Sequence, residues 1–195
     1  VTSGATVSPG GVVTGVFGGI DTVTYSVTNM CGTDRAVYPV NVIATPSAGT
    51  ITGPVSTCEG SAILLTDPVA GGVWSVTNAN AKGSTGGLVA GLSAGIDTVQ
   101  YTVTYTCGSD VTSFPVTINP LASAGTITGS SNVCSGSAIT LADAMFGGTG
   151  SSASTHVTIS ATGVGSWVAS GTATRSYDVT NSCGTASTSK AIVVN

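Results

Sequence analysis

Residues 47–53 read Ser47-Ala48-Gly49-Thr50-Ile51-Thr52-Gly53, and the same seven residues return as Ser123-Ala124-Gly125-Thr126-Ile127-Thr128-Gly129. The step is 123 − 47 = 76 residues. Cys58 returns as Cys134 at the same step. Cys31-Gly32, Cys107-Gly108 and Cys183-Gly184 are also spaced by 76 and 76, as are Tyr25, Tyr101 and Tyr177. Gly19-Ile20-Asp21-Thr22-Val23 matches Gly95-Ile96-Asp97-Thr98-Val99. No gap is needed anywhere, and self-similarity at one fixed step is the signature of tandem structural units. The expected units are a partial repeat over 1–46, which matches only the later part of a unit, and complete repeats over 47–122 and 123–195.

Inside a unit the hydrophobic period is two. Val99, Tyr101, Val103 and Tyr105 alternate with Gln100, Thr102 and Thr104, the pattern of a half-buried strand made of β-branched and aromatic residues. Gly108-Ser109-Asp110 reads as a turn, and Phe114, Val116 and Ile118 mark the next strand, where Pro115 implies an edge. Earlier strands are expected at 49–52, 55–58, 62–66, 73–76 and 88–90, punctuated by Gly71-Gly72 and Gly86-Gly87. Seven or so short strands per unit without a helical period predict an all-β fold of tandem β-sandwiches. A β-solenoid, with its repeat of about 20–30 residues, fits the step poorly.

Composition excludes several functions. The chain has 195 residues, of which 6% are charged, with 4 Lys or Arg, 8 Asp or Glu and one His. Four scattered cations form no phosphate-binding patch, so nucleic acid is not an expected partner. General acid–base chemistry needs titratable groups brought together. Ser, His and Asp are all present, but no Gly-x-Ser-x-Gly elbow surrounds a serine, and His156 reads as an exposed loop residue. No enzyme activity and no cofactor are expected. The 41% hydrophobic content and mean hydropathy of +0.44 argue against disorder. No apolar run reaches the roughly 18 residues of a transmembrane helix. Five cysteines in a chain rich in Thr, Ser and Gly imply an oxidising, extracellular or cell-surface location.

Three stretches resemble a known family. Gly11-Val12-Val13-Thr14-Gly15-Val16 followed by Gly19-Ile20-Asp21-Thr22-Val23-Thr24-Tyr25 resembles the core motif of group 2 bacterial Ig-like domains. Val73-Trp74-Ser75-Val76-Thr77-Asn78 is similar to the tryptophan strand of the same family. Cys-x-Gly at Cys58 and Cys134, with Asn-x-Cys-Gly at Cys31 and Cys183, resembles the repeats of very long surface proteins of Bacteroidota. The resemblance covers essentially the whole chain. It implies Ig-like Greek-key sandwiches, and proteins that serve as adhesins, stalks and surface fibres.

The cysteines form two classes. Cys58 and Cys134 precede the second strand of a unit; Cys31, Cys107 and Cys183 end the sixth. Pairing within a unit would give Cys58–Cys107 and Cys134–Cys183, leaving Cys31 alone. In a seven-strand sandwich the second and sixth strands run the same way, so those positions lie at opposite ends of the domain. A nine-residue strand spans about 30 Å, whereas bonded cysteines have Cα atoms about 4.4–6.8 Å apart. End-to-end stacking instead lets Cys58 reach Cys183. Cys31 and Cys107 would then bond to upstream units, and Cys134 to a downstream unit or another chain. Both schemes stand at this point, as do free thiols. A metal site is not expected, because no Cys-x-x-Cys occurs and His156 has no partner motif.

Other candidates are weighed against simpler roles. Asp21-Thr22-Val23 and Asp97-Thr98-Val99 resemble the Bacteroidota acceptor for O-glycosylation, at Thr22 and Thr98. The simpler role is that both aspartates bond turn amides. Asp34, Asp67, Asp110 and Asp143 are single turn residues, short of the six to eight oxygens that calcium takes. Lys82 and Lys190 sit at non-equivalent positions, against a repeated isopeptide link. Trp74, Tyr25, Tyr101 and Tyr177 are expected in the core. The last repeat has Gly150 at the place of Trp74 and Trp167 at the place of Gly91, so Trp167 is expected to refill the volume left at Gly150.

The expected function is structural: a subunit or segment of an extracellular fibre or stalk, built from stacked Ig-like domains stabilised by disulfides. Its partners would be other copies of the chain or neighbouring repeats, in head-to-tail or strand-complemented assembly. The alternative is an adhesin module for glycans or surface receptors. Short loops rich in Gly, Ser and Thr favour the spacer.

Overall fold

The computed structural model describes residues 4–152, 154, 157–159, 164–167 and 169–195. His156 and the side chain of Trp167 lie outside the described part. All regular structure among the described residues is β-strand. The chain divides into two compact units. One holds Val1–Val55, Ala62–Ala90 and Ile96–Val116; the other holds Ser56–Ser61, Gly91–Gly95 and Thr117–Asn195.

The second unit contains the whole third sequence repeat. Its spine is a hairpin of Gly171–Asn181 and Gly184–Val194, in register from Gly171↔Val194 to Asn181↔Gly184. Only Ser182 and Cys183 make the turn. The glycine that follows the cysteine takes φ +133° at Gly184, +136° at Gly108 and +141° at Gly32, a region that side chains rarely adopt. The thrice-repeated Cys-Gly pair is therefore the turn signal of a hairpin. Thr149–Ser152 pairs antiparallel with the first hairpin strand, and Asn132–Val133 pairs parallel with the end of the second. The opposing sheet has the order Ala138–Thr140, Val164–Trp167, Val157–Ile159. A four-stranded sheet carrying the last hairpin in its middle, faced by a three-stranded sheet from the intervening strands, is the Ig-like arrangement. The core draws on both sheets: Val133, Ala173, Ile192 and Val194 meet Val157, with Ile127 and Leu141 alongside.

The first unit repeats these pairings at the 76-residue step. Tyr101 lies opposite Trp74 where Tyr177 lies opposite Gly150. Ile63 lies opposite Val89 where Ile139 lies opposite Gly165. Along Gly95–Tyr105 the alternate residues Asp97, Val99, Tyr101 and Val103 are buried, which is the period-two reading realised. Ala81–Gly83 is an additional strand too short and polar to show in the hydrophobic pattern. Ser56–Cys58 pairs only with Thr117–Asn119, so Pro115 lies clear of that pairing and withholds no bond from it.

One core expectation needs correction. Tyr25 is 70% exposed, whereas Tyr101 is 5% exposed. Trp74 stacks against Tyr101 with ring centroids 4.7 Å apart, but Tyr25 belongs to a sheet of two strands only, Gly19–Asn29 and Gly32–Val42. Among the described residues no third strand pairs with that sheet. The expectation that Trp167 refills Gly150 falls on a side chain outside the described part. The Arg175 guanidinium lies against Gly150, so that a Cβ there would collide with the side chain. Arg175 is buried at the register position of Val99. Arginine, not considered from the sequence, occupies the space over Gly150.

Candidate functional site

Cys58 and Cys183 are joined by a disulfide across 125 residues, with Cα atoms 5.7 Å apart. That separation is within the range a disulfide requires. Both belong to the second compact unit, and in sequence they belong to successive repeats. The pairings Cys58–Cys107 and Cys134–Cys183 are not formed; Cys31, Cys107 and Cys134 are exposed thiols.

The bond is set into a hydrogen-bonded frame. Cys58 ends the strand Ser56–Cys58, opposite Asn119. The Glu59 N–H donates to the Asn119 carbonyl at 3.0 Å, and the Ser61 N–H donates to the Cys58 carbonyl at 3.0 Å. The Glu59 carboxylate accepts from the Ala94 N–H at 2.7 Å, tying a neighbouring loop to the same turn. On the other side, the Asn181 carboxamide oxygen accepts from the Cys183 N–H at 2.8 Å. Its amide nitrogen donates to the Pro120 carbonyl at 3.0 Å. The Cys183 sulfur lies 3.7 Å from the Asn119 carbonyl oxygen. Asn181 thus shapes the tip that carries Cys183 and anchors it to the chain leaving the second repeat.

Cys107 occupies the corresponding place one repeat earlier: its thiol faces the Ile43 carbonyl at 3.9 Å. The positions agree, since 183 − 107 and 119 − 43 are both 76.

The aspartates of the Asp-Thr-Val motifs take the simpler role. Asp97 is fully buried. One carboxylate oxygen accepts from Thr77 N–H, Asn78 N–H and Thr98 N–H at 3.1, 3.1 and 2.7 Å, and from the Thr77 hydroxyl at 3.2 Å. The other accepts from the Ala81 N–H at 3.0 Å. Asp21 repeats the arrangement with Ala5 and Thr22. Thr98 is half-buried and Thr22 exposed. Asp34, Asp67, Asp110 and Asp143 each accept a backbone N–H, from Arg35, Val69, Ala48 and Met145 respectively.

Tyr101 and Tyr177 are placed alike. The Tyr101 hydroxyl donates to the Val69 carbonyl at 2.6 Å and accepts from Gly72 N–H at 2.8 Å. The Tyr177 hydroxyl donates to the Met145 carbonyl at 2.7 Å and accepts from Gly148 N–H at 3.0 Å. A side chain at Gly72 or Gly148 would strike the ring, which explains the Gly-Gly pairs that break the sequence there.

No protein-family model matches the chain, and no curated protein sequence matches it. Solved structures superpose on it loosely. The titin fragment I67–I69 is 12% identical, covering 98% of this chain and 81% of its own, at a TM-score of 0.46. Mouse protocadherin-24 EC1–3 is 14% identical, covering 99% and 87%, at 0.39. A SusE-like surface-located polysaccharide-binding protein of Bacteroides thetaiotaomicron is 13% identical, covering 100% of this chain and 41% of its own, at 0.33. The fold class rests on the strand order above.

Proposed function

We propose that this chain is a structural segment of an extracellular fibre or stalk, in which Ig-like repeats are locked to their successors by disulfides. The observation that carries the proposal is the Cys58–Cys183 bond, which joins cysteines of two successive repeats 125 residues apart. The repeats are 1–46, 47–122 and 123–195, of the group 2 bacterial type and with Bacteroidota surface proteins as relatives. The chain is not an enzyme in this reading: its buried carboxylate, Asp97, is occupied by backbone donors. The scarcity of charge fits a surface covered by neighbours or by glycans, with Thr22 the more accessible acceptor. Intact mass of the native material tests that last point, and a bare-chain mass removes it.

Electron microscopy of the native material, with and without reductant, tests the main reading. Fibres or elongated particles with a regular axial period are expected, loosening on reduction. Isolated compact particles indifferent to reductant would overturn it.

A further inference from the structure

The Cys58–Cys183 bond has two halves, and each half occurs again with a free thiol. The first half is a socket around Cys58, built by the parallel pairing of Ser56–Cys58 with Thr117–Asn119. The Glu59-to-Asn119 and Ser61-to-Cys58 backbone bonds, both 3.0 Å, close it. The same socket surrounds Cys134. Asn132 and Val133 pair in parallel with Val193 and Val194. The Ser135 N–H donates to the Asn195 carbonyl at 2.8 Å, and the Ser137 N–H to the Cys134 carbonyl at 3.0 Å.

The second half is a tip. In Asn181-Ser182-Cys183-Gly184 the asparagine side chain accepts the cysteine N–H at 2.8 Å. In Asn29-Met30-Cys31-Gly32 it does the same at 2.8 Å, and the glycine again takes a strongly positive φ. Met30 is fully exposed. The remaining tip, Tyr105-Thr106-Cys107-Gly108, has no asparagine, and its thiol already faces the Ile43 carbonyl. An exposed cysteine alone would indicate nothing. Cys31 and Cys134 differ because the molecule bonds one such tip to one such socket.

We propose that Cys134 of one copy of this chain bonds to Cys31 of a second copy, joining copies through the tip-and-socket geometry of Cys58 and Cys183. This rests on the staple reading above. The chemistry is thiol–disulfide exchange. The Cys134 thiolate attacks one sulfur of a low-molecular-weight disulfide such as oxidised glutathione, and one glutathione thiolate leaves. The Cys31 thiolate of the second copy then attacks the Cys134 sulfur and expels the second glutathione. Two thiols have lost two protons and two electrons; the glutathione disulfide has gained them. Cys107 stays a thiol.

The test uses the full chain with oxidised glutathione, read on non-reducing gels. The unaltered chain is expected to form a ladder of covalent multimers that collapses on reduction. Cys31→Ser and Cys134→Ser should each remain monomeric alone. Mixed, they should form one heterodimer, at least tenfold above either homodimer. No ladder, or dimers from either variant alone as abundant as in the mixture, would overturn the proposal. A tryptic digest of the same samples without reduction separates the two readings. Fragment 36–82 linked to 176–190 shows the internal staple in place, so that a missing ladder sinks only the intermolecular bond. Absence of that linked pair sinks the staple reading itself.

Discussion

Asp97 shows what one residue does for an almost uncharged domain. A buried carboxylate is tolerable only when its oxygens are satisfied, and Asp97 accepts from four backbone N–H groups and one hydroxyl. Removing it would leave the buried Ala81 N–H without its acceptor, while the Thr77 N–H keeps the Thr98 carbonyl. Asp97→Ala is therefore expected to lower stability by about 1–3 kcal/mol, the cost of one buried donor left unpaired. Urea unfolding followed by circular dichroism measures this, and an unchanged midpoint would refute it. Tyr101→Phe is the milder counterpart. It deletes one donated and one accepted bond while keeping the stack on Trp74, so a loss of about 1–2 kcal/mol is expected. The Asp-Thr-Val motif was legible in the sequence as two competing roles. The donors to the aspartate come from the loop around Thr77 and Asn78, which sequence spacing alone does not bring to Asp97.

At the scale of elements, the long hairpins were readable from the alternation along their strands, but Gly108-Ser109-Asp110, read as the turn, opens the strand Gly108–Asn119, and the turn lies at Thr106-Cys107. Short strands such as Ala81–Gly83 were not readable, because three residues of mixed polarity carry no period. Nor could Arg175 be read as buried. Its place in the alternation is that of Val99, but only the space open at Gly150 admits a guanidinium there. The hairpin Gly19–Asn29 and Gly32–Val42 keeps the alternation yet leaves Tyr25, Val27 and Tyr38 exposed. Exposed apolar strand faces are prone to pair with other chains. Val27 lies opposite Asp34, so Val27→Lys would place a cation across from a carboxylate, a favourable cross-strand pair. Sedimentation velocity in reducing buffer is expected to show weaker concentration-dependent association for this variant. Equal association would mean that this face is not what brings molecules together.

For the whole molecule, few charges and few aromatics leave small cores of Val, Ile, Leu and Ala. Covalent closure matters more when the core is small. The sequence repeat made both pairing schemes writable, and strand direction favoured the one between successive repeats. Only the positions of Asn119, Pro120 and the Asn181 tip show how Cys183 is held over Cys58. A disulfide that closes a loop of 125 residues restricts the unfolded chain strongly, and removing such a bond typically costs about 2–4 kcal/mol. The double variant Cys58→Ser with Cys183→Ser is expected to unfold at lower urea by that amount. Reductant should bring the unaltered chain down to the same midpoint while leaving the variant unmoved. Because the thiols of Cys31, Cys107 and Cys134 are present in both proteins, only the loss of this one bond can produce that asymmetry. If reductant shifted both proteins equally, the stabilisation would have to come from somewhere other than Cys58–Cys183.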